Sequence, residues 1–90
     1  MKVQVKFLAS MYAVTKVLKT EINVPENTTV KDLIQIIDKT INPNFSKAIL
    51  DDNGKLKVRH VILINSRSID FLKGLDTKLS NNDEVIFLGC

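Results

Sequence analysis

The stretch from Asn65 to Cys90, NSRSIDFLKGLDTKLSNNDEVIFLGC, decides how the chain is read. Asn65-Ser66 marks a turn. From Ser68 to Leu79 the apolar residues Ile69, Phe71, Leu72, Leu75 and Leu79 fall at uneven spacing, which predicts an irregular segment with a short strand. Asn81-Asn82 marks a second turn, and Glu84 to Leu88 reads as a final apolar strand. Only Gly89 and Cys90 follow it. A small domain that closes on a core strand carries its terminal carboxylate on the body of the fold. That arrangement suits a chain whose C-terminus is its reactive group, and equally one that simply stops there.

Upstream of this stretch, Val58 to Ile64 contains Val61-Ile62-Leu63-Ile64, apolar on both parities. Such a strand is central and covered on both faces, or it carries an exposed apolar patch. Asp51-Asp52-Asn53-Gly54 is a turn; it resembles part of a calcium loop but lacks that motif's later glutamate. Phe45 to Leu50 predicts a helical turn plugging the end of the core.

The N-terminal half supplies a hairpin and a helix. Val3, Val5 and Phe7 alternate with Lys2, Gln4 and Lys6, the period of a half-buried strand. Ser10 to Lys16 breaks the alternation and reads as a loop, with Met11, Ala13 and Val14 available to tuck under the core. Val17 to Val24 alternates again and stops at Pro25, which cannot donate to a ladder. The two strands predict an antiparallel hairpin. Thr29 can cap a helix, with Asp32 three residues on imitating a capping box. Val30, Leu33, Ile36, Ile37 and Ile41 then recur at helical spacing, and Asn42-Pro43 ends the run.

The order strand, strand, helix, strand, weak segment, strand predicts an α+β fold: a mixed four- to five-stranded sheet packed on one main helix. Ninety residues make one domain, 1–90, with one modest core. There is no apolar run near the ~20 residues of a membrane span and no signal-peptide pattern, and the one cysteine excludes an internal disulfide. These features predict a cytoplasmic protein that does not engage a membrane. The net charge of +3 does not by itself imply nucleic acid. Lys55, Lys57 and Arg59, with Lys2 and Lys6, lack an aromatic ladder and read as solvated strand edges.

These elements resemble the ubiquitin-like β-grasp fold, and within it the small sulfur carriers of the MoaD/ThiS type. Val3 to Ser10 matches the family's first strand and loop. Val24-Pro25-Glu26-Asn27-Thr28-Thr29-Val30-Lys31-Asp32-Leu33 matches the pattern VPEGxTVxDLL. Ile64-Asn65-Ser66-Arg67, Gly74 to Leu79 and Asp83-Glu84-Val85 match VNGR and GLDTxLxDGDEV. Together they cover nearly the whole chain. Two departures stand out. Tyr12-Ala13 occupies the place of a common Arg-Glu pair. After Val85 the chain is about four residues short of the family's extended Gly-Gly tail, or ~13 Å of reach.

The resemblance implies a carrier or co-substrate that is not itself an enzyme. In the family an E1-like enzyme uses ATP to adenylate the terminal glycine carboxylate, and a sulfur donor converts it to a thiocarboxylate. A synthase large subunit takes the sulfur, in one pathway to build molybdopterin. ATP belongs to the partner, and no cofactor or metal is expected on the chain itself. Glycine suits the tail because it threads a narrow channel without a Cβ. Gly89 is the expected sulfur-carrying terminus, after removal of Cys90 in the way some carriers are trimmed. Cys90 is alternatively a reactive thiol or an incidental chain end.

One helix cannot cover both faces of a sheet. If Val85 and Phe87 face the core, Ile86 and Leu88 point outward, and Leu8 lies opposite Val5 and Phe7. The expected partner-binding face is therefore Leu8, Ile86 and Leu88, joined by Ile62 or Ile64. It would dock the adenylating enzyme, the synthase or a second copy as a homodimer, unless Met11 and Tyr12 fold over it. His60, the only histidine, reads as a surface residue. No nucleophile–base pair or glycine-rich phosphate loop appears. A tail-less β-grasp module that binds a partner without transferring sulfur is the alternative function.

Overall fold

Alternation in the first strand translates directly into burial. A computed structural model describes residues 1–89. In β1 (Lys2–Ala9), Val3, Val5 and Phe7 are fully buried. β2 (Lys19–Asn23) pairs with it antiparallel, Val3 opposite Ile22 and Val5 opposite Thr20, as the hairpin reading requires. The connection differs from expectation: Ser10–Thr15 is a short helix, α1, rather than a loop. Met11 and Thr15, four residues apart and so on one face, are both buried, and that burial winds the turn. Six residues are too few for a helical period to show in sequence. Ala13 stays exposed.

The main helix, α2 (Val30–Thr40), starts on a complete capping box. Asp32 N–H donates to Thr29 Oγ1, and Thr29 N–H donates to the Asp32 carboxylate, both at 3.1 Å. Its buried stripe is Val30, Leu33, Ile34 and Ile37. Ile34 was missing from the expected stripe, whereas Ile36 and Ile41 are only partly buried at its rim. α3 (Phe45–Ile49) is the predicted helical turn. The turn at Asp51 is held by its own carboxylate, which accepts from Asn53 and Lys55 N–H. Among the described residues no helix is long and apolar enough to cross a membrane.

β3 (His60–Ile64), the two-residue β4 (Arg67–Ser68) and β5 (Glu84–Gly89) complete the sheet. The strand order is β2-β1-β5-β3-β4. β5 runs parallel to β1 and antiparallel to β3, so the last strand fills the centre. This is the mixed sheet on one main helix expected of a β-grasp. The weak segment forms two short 3₁₀ turns, Ile69–Phe71 and Gly74–Asp76, with Ile69 buried and Phe71 exposed.

Three phenylalanines join the layers. Phe7 on β1 and Phe87 on β5 are opposite one another in register, with ring centroids 5.7 Å apart in a stacked arrangement. Phe45 of α3 meets both edge-on, at 5.4 and 5.1 Å. All three are fully buried. Edge-to-face geometry sets ring edges against ring faces and adds to the area buried. Phe45→Ala should therefore lower the unfolding free energy by ~3–5 kcal/mol, measured by urea denaturation, a large part of what a small domain has.

Candidate functional site: the uncovered face of the sheet

The strand register sorts the side chains into rungs. With Val3, Val5, Phe7, Val85 and Phe87 in the core, the opposite parity forms the outer face. Leu8 pairs with Leu88, and Leu88 with Val61, so one rung across three strands is wholly apolar. The next rung is Lys6, Ile86 and Leu63. The third is Gln4 and Glu84. The face is thus graded, from apolar at the Leu88 end to polar at the Glu84 end.

Leu8, Ile86 and Leu88 stand where the sequence put them. Ile62 and Ile64 do not: they pair with Phe87 and Val85 and are buried in the core. Val61 and Leu63 take their places, Val61 being 36% exposed. A run apolar on both parities cannot announce its own parity; pairing with β5 sets it. Asn65 helps to hold that register. Its N–H donates to Glu84 O, and its side-chain Oδ1 accepts from Glu84 N–H. Met11 and Tyr12 do not cover the face. Met11 is buried in the core and α1 packs toward α3, on the helix side of the sheet.

The polar end is internally matched. Lys6 Nζ is 3.1 Å from Glu84, Lys2 Nζ is 3.9 Å from Glu21, and Gln4 Nε2 donates to Glu21. These lysines are therefore shared with acids rather than pooled with Lys55, Lys57 and Arg59 in a basic face. Lys57 Nζ instead donates to Lys47 O. Among the described residues no three His, Cys, Asp or Glu side chains converge as metal ligands.

Gly89 occupies the last rung of β5, between Ala9 on one side and His60 on the other. It is buried. A Cβ there would overlap Ser10 Oγ and come within 2.9 Å of the His60 ring, so any larger residue must push those two side chains aside. The His60 ring is oriented by Nδ1, 3.0 Å from Val58 O. Sequence reasoning did not foresee Ser10 and His60 as neighbours of Gly89, because the contact depends on parallel pairing between the two chain ends. Cys90, the other half of the expected terminus, lies outside the described residues.

The profile of the ThiS family matches residues 5–89. No curated protein matches the chain. Among solved structures, the chain is similar to a protein from Pyrococcus furiosus described as a putative molybdopterin converting factor, subunit 1. The two share 27% identity over 98% of this chain and 95% of that one, with a TM-score of 0.74. Small archaeal modifier protein 1 from Methanosarcina acetivorans is similar at 26% identity over 98% and 91%, with a TM-score of 0.77. SAMP1 from Haloferax volcanii shares the fold at a TM-score of 0.84 with 18% identity, over 100% and 96% of the chains.

The parity assignment has a direct check in thermal unfolding followed by circular dichroism. Val61→Asp and Leu88→Asp should each lower stability by no more than about 1 kcal/mol, because the new charge meets water. Ile62→Asp should abolish the cooperative transition, because its charge would be buried without a partner.

Proposed function

The chain belongs to the ThiS family of small ubiquitin-like sulfur carriers, and on that footing we propose that it carries sulfur as an activated C-terminal acyl group in molybdopterin-type synthesis. Its partners in this reading are an E1-like adenylating enzyme and the large subunit of a synthase. The adenylating enzyme supplies the ATP site. A carboxylate oxygen attacks the α-phosphorus of ATP and pyrophosphate leaves. A sulfur nucleophile then attacks the acyl carbon, AMP departs, and a thiocarboxylate remains. The reading takes Gly89 as the acyl residue, once Cys90 has been removed, and takes the cytoplasm as the place of work. The similarity to the putative molybdopterin converting factor subunit supports the choice of pathway.

One observation carries the proposal. The wholly apolar rung of Leu8, Leu88 and Val61 is adjacent to the rung of Ala9, Gly89 and His60. A partner that docks on this rung by burying apolar surface has the carboxyl end of β5 beside it. Docking and reaction then share one end of the sheet. The matched charges at the other end add no affinity for a generic anion, so recognition rests on shape and apolar contact. Pairing of Gly89 on both edges favours a second reading, a β-grasp module that binds through the same face and transfers nothing.

Intact mass spectrometry separates the two. The protein is incubated with the E1-like enzyme of the same organism, an extract of that organism as the source of the peptidase that hydrolyses the Gly89–Cys90 bond, ATP and a sulfide source. The carrier reading expects loss of Cys90 and exchange of one oxygen for sulfur at Gly89. It also expects Leu88→Asp to weaken binding to that enzyme by at least about tenfold, the scale of a truncated contact at an interface centre. Unchanged mass with stable binding selects the binding module, and neither binding nor mass change rejects both.

A further inference from the structure

Four features meet where β5 leaves the sheet. Ala9 has φ 55° and ψ −127°, a conformation that suits glycine and strains any residue with a Cβ. Ser10 Oγ is buried without a hydrogen-bond partner, alone in this among the side-chain atoms of the described residues. Gly89 is packed so closely against that hydroxyl and the His60 ring that a Cβ would have to displace them. The same Gly89 is the final rung of a strand paired on both edges. Each feature is unfavourable or tightly constrained, and all four lie at the last rung of β5 and the β1 end paired with it.

We propose that the last rung of β5 is a releasable latch, with Ala9 and Ser10 as the positioning residues that set how readily it opens. Closed, the latch holds Leu88 and Gly89 in the sheet, with Ala9 strained and the Ser10 hydroxyl shut away from water. Open, it lets Ala9 relax to an ordinary extended conformation and gives the hydroxyl a water partner, which offsets the lost ladder bonds. The open form has the end of β5 free to extend away from the body. The purpose of the latch rests on the carrier reading, since an acyl residue held on both edges cannot enter a partner's channel. Its existence does not, and it is tested without any partner.

The test is amide hydrogen exchange followed by nuclear magnetic resonance on the protein alone. Leu88 and Gly89 should exchange at least about tenfold faster than Val85 to Phe87, through local opening rather than global unfolding. Ala9→Gly relieves the strain of the closed form, so it should slow exchange at Leu88 and Gly89 by about tenfold. Ser10→Ala removes the unbonded hydroxyl and should slow it in the same direction. If strain at Ala9 were relieved only on global unfolding, both variants would slow Val85 to Phe87 and leave Leu88 and Gly89 unchanged, and the latch would be refuted. Gly89→Ala should strip protection from positions 88 and 89 while Val85 stays protected, and adding Ser10→Gly should return part of it. Equal exchange rates along all of β5 in the unaltered protein would also refute the latch. Neither refutation touches sulfur loading, and failure of sulfur loading leaves the exchange pattern standing.

Discussion

Parallel pairing between the first and last strands is the constraint from which the rest of the molecule follows. β1 and β5 lie side by side at the centre of the sheet, with β2 outside one and β3 outside the other. Parallel neighbours need a long crossover, and here that crossover contains every other element. The helices in it pack on one face only, where Phe7 and Phe87 stack and Phe45 closes over them. The opposite face is left to water. Its composition is thus free of the core's demands and available for recognition. The fold spends its apolar residues unevenly there, Leu8, Leu88 and Val61 at one end and matched charges at the other.

Sequence disclosed the elements with strong local signals. The alternation of Val3, Val5 and Phe7, the Thr29–Asp32 capping box and the turn at Asp51 each depend on neighbours within a few residues, and each was found where expected. What was not legible depended on distant pairing. Ile62 and Ile64 were expected to contribute to the outer face, and they turn inward because β5 fixes the parity of β3. Ile34 was passed over for Ile36, since an isoleucine pair and its neighbour satisfy a helical stripe in more than one way. α1 escaped because six residues that bury two side chains leave no period to read.

The candidate site divides along the same line. Leu8, Ile86 and Leu88 were predictable from strand alternation alone. The surroundings of Gly89 were not, because Ser10 and His60 reach it from β1's end and β3's start, across a sheet assembled from both ends of the chain. A glycine near a terminus suggests a flexible tail when read locally. In three dimensions it is a tightly fitted residue whose missing Cβ admits a hydroxyl and an imidazole. In the carrier reading proposed above, reaction and packing place opposite demands on this residue, mobility for the one and close fit for the other.

The central position of β5 also bears on how the molecule is made. A ribosome delivers the chain from its N-terminus, and everything up to Asp83 emerges before the strand that joins β1 to β3. Until then the β1–β2 hairpin and the β3–β4 hairpin have no common edge, and the stacked partner of Phe7 is missing. Contacts of such long sequence separation form late and slowly. Folding of the domain waits on β5, and the nascent chain shows its apolar strands to the cell's chaperones until that strand emerges. Native-like compactness then reports that β5 has been delivered, so whatever binds the folded face selects chains synthesised through β5.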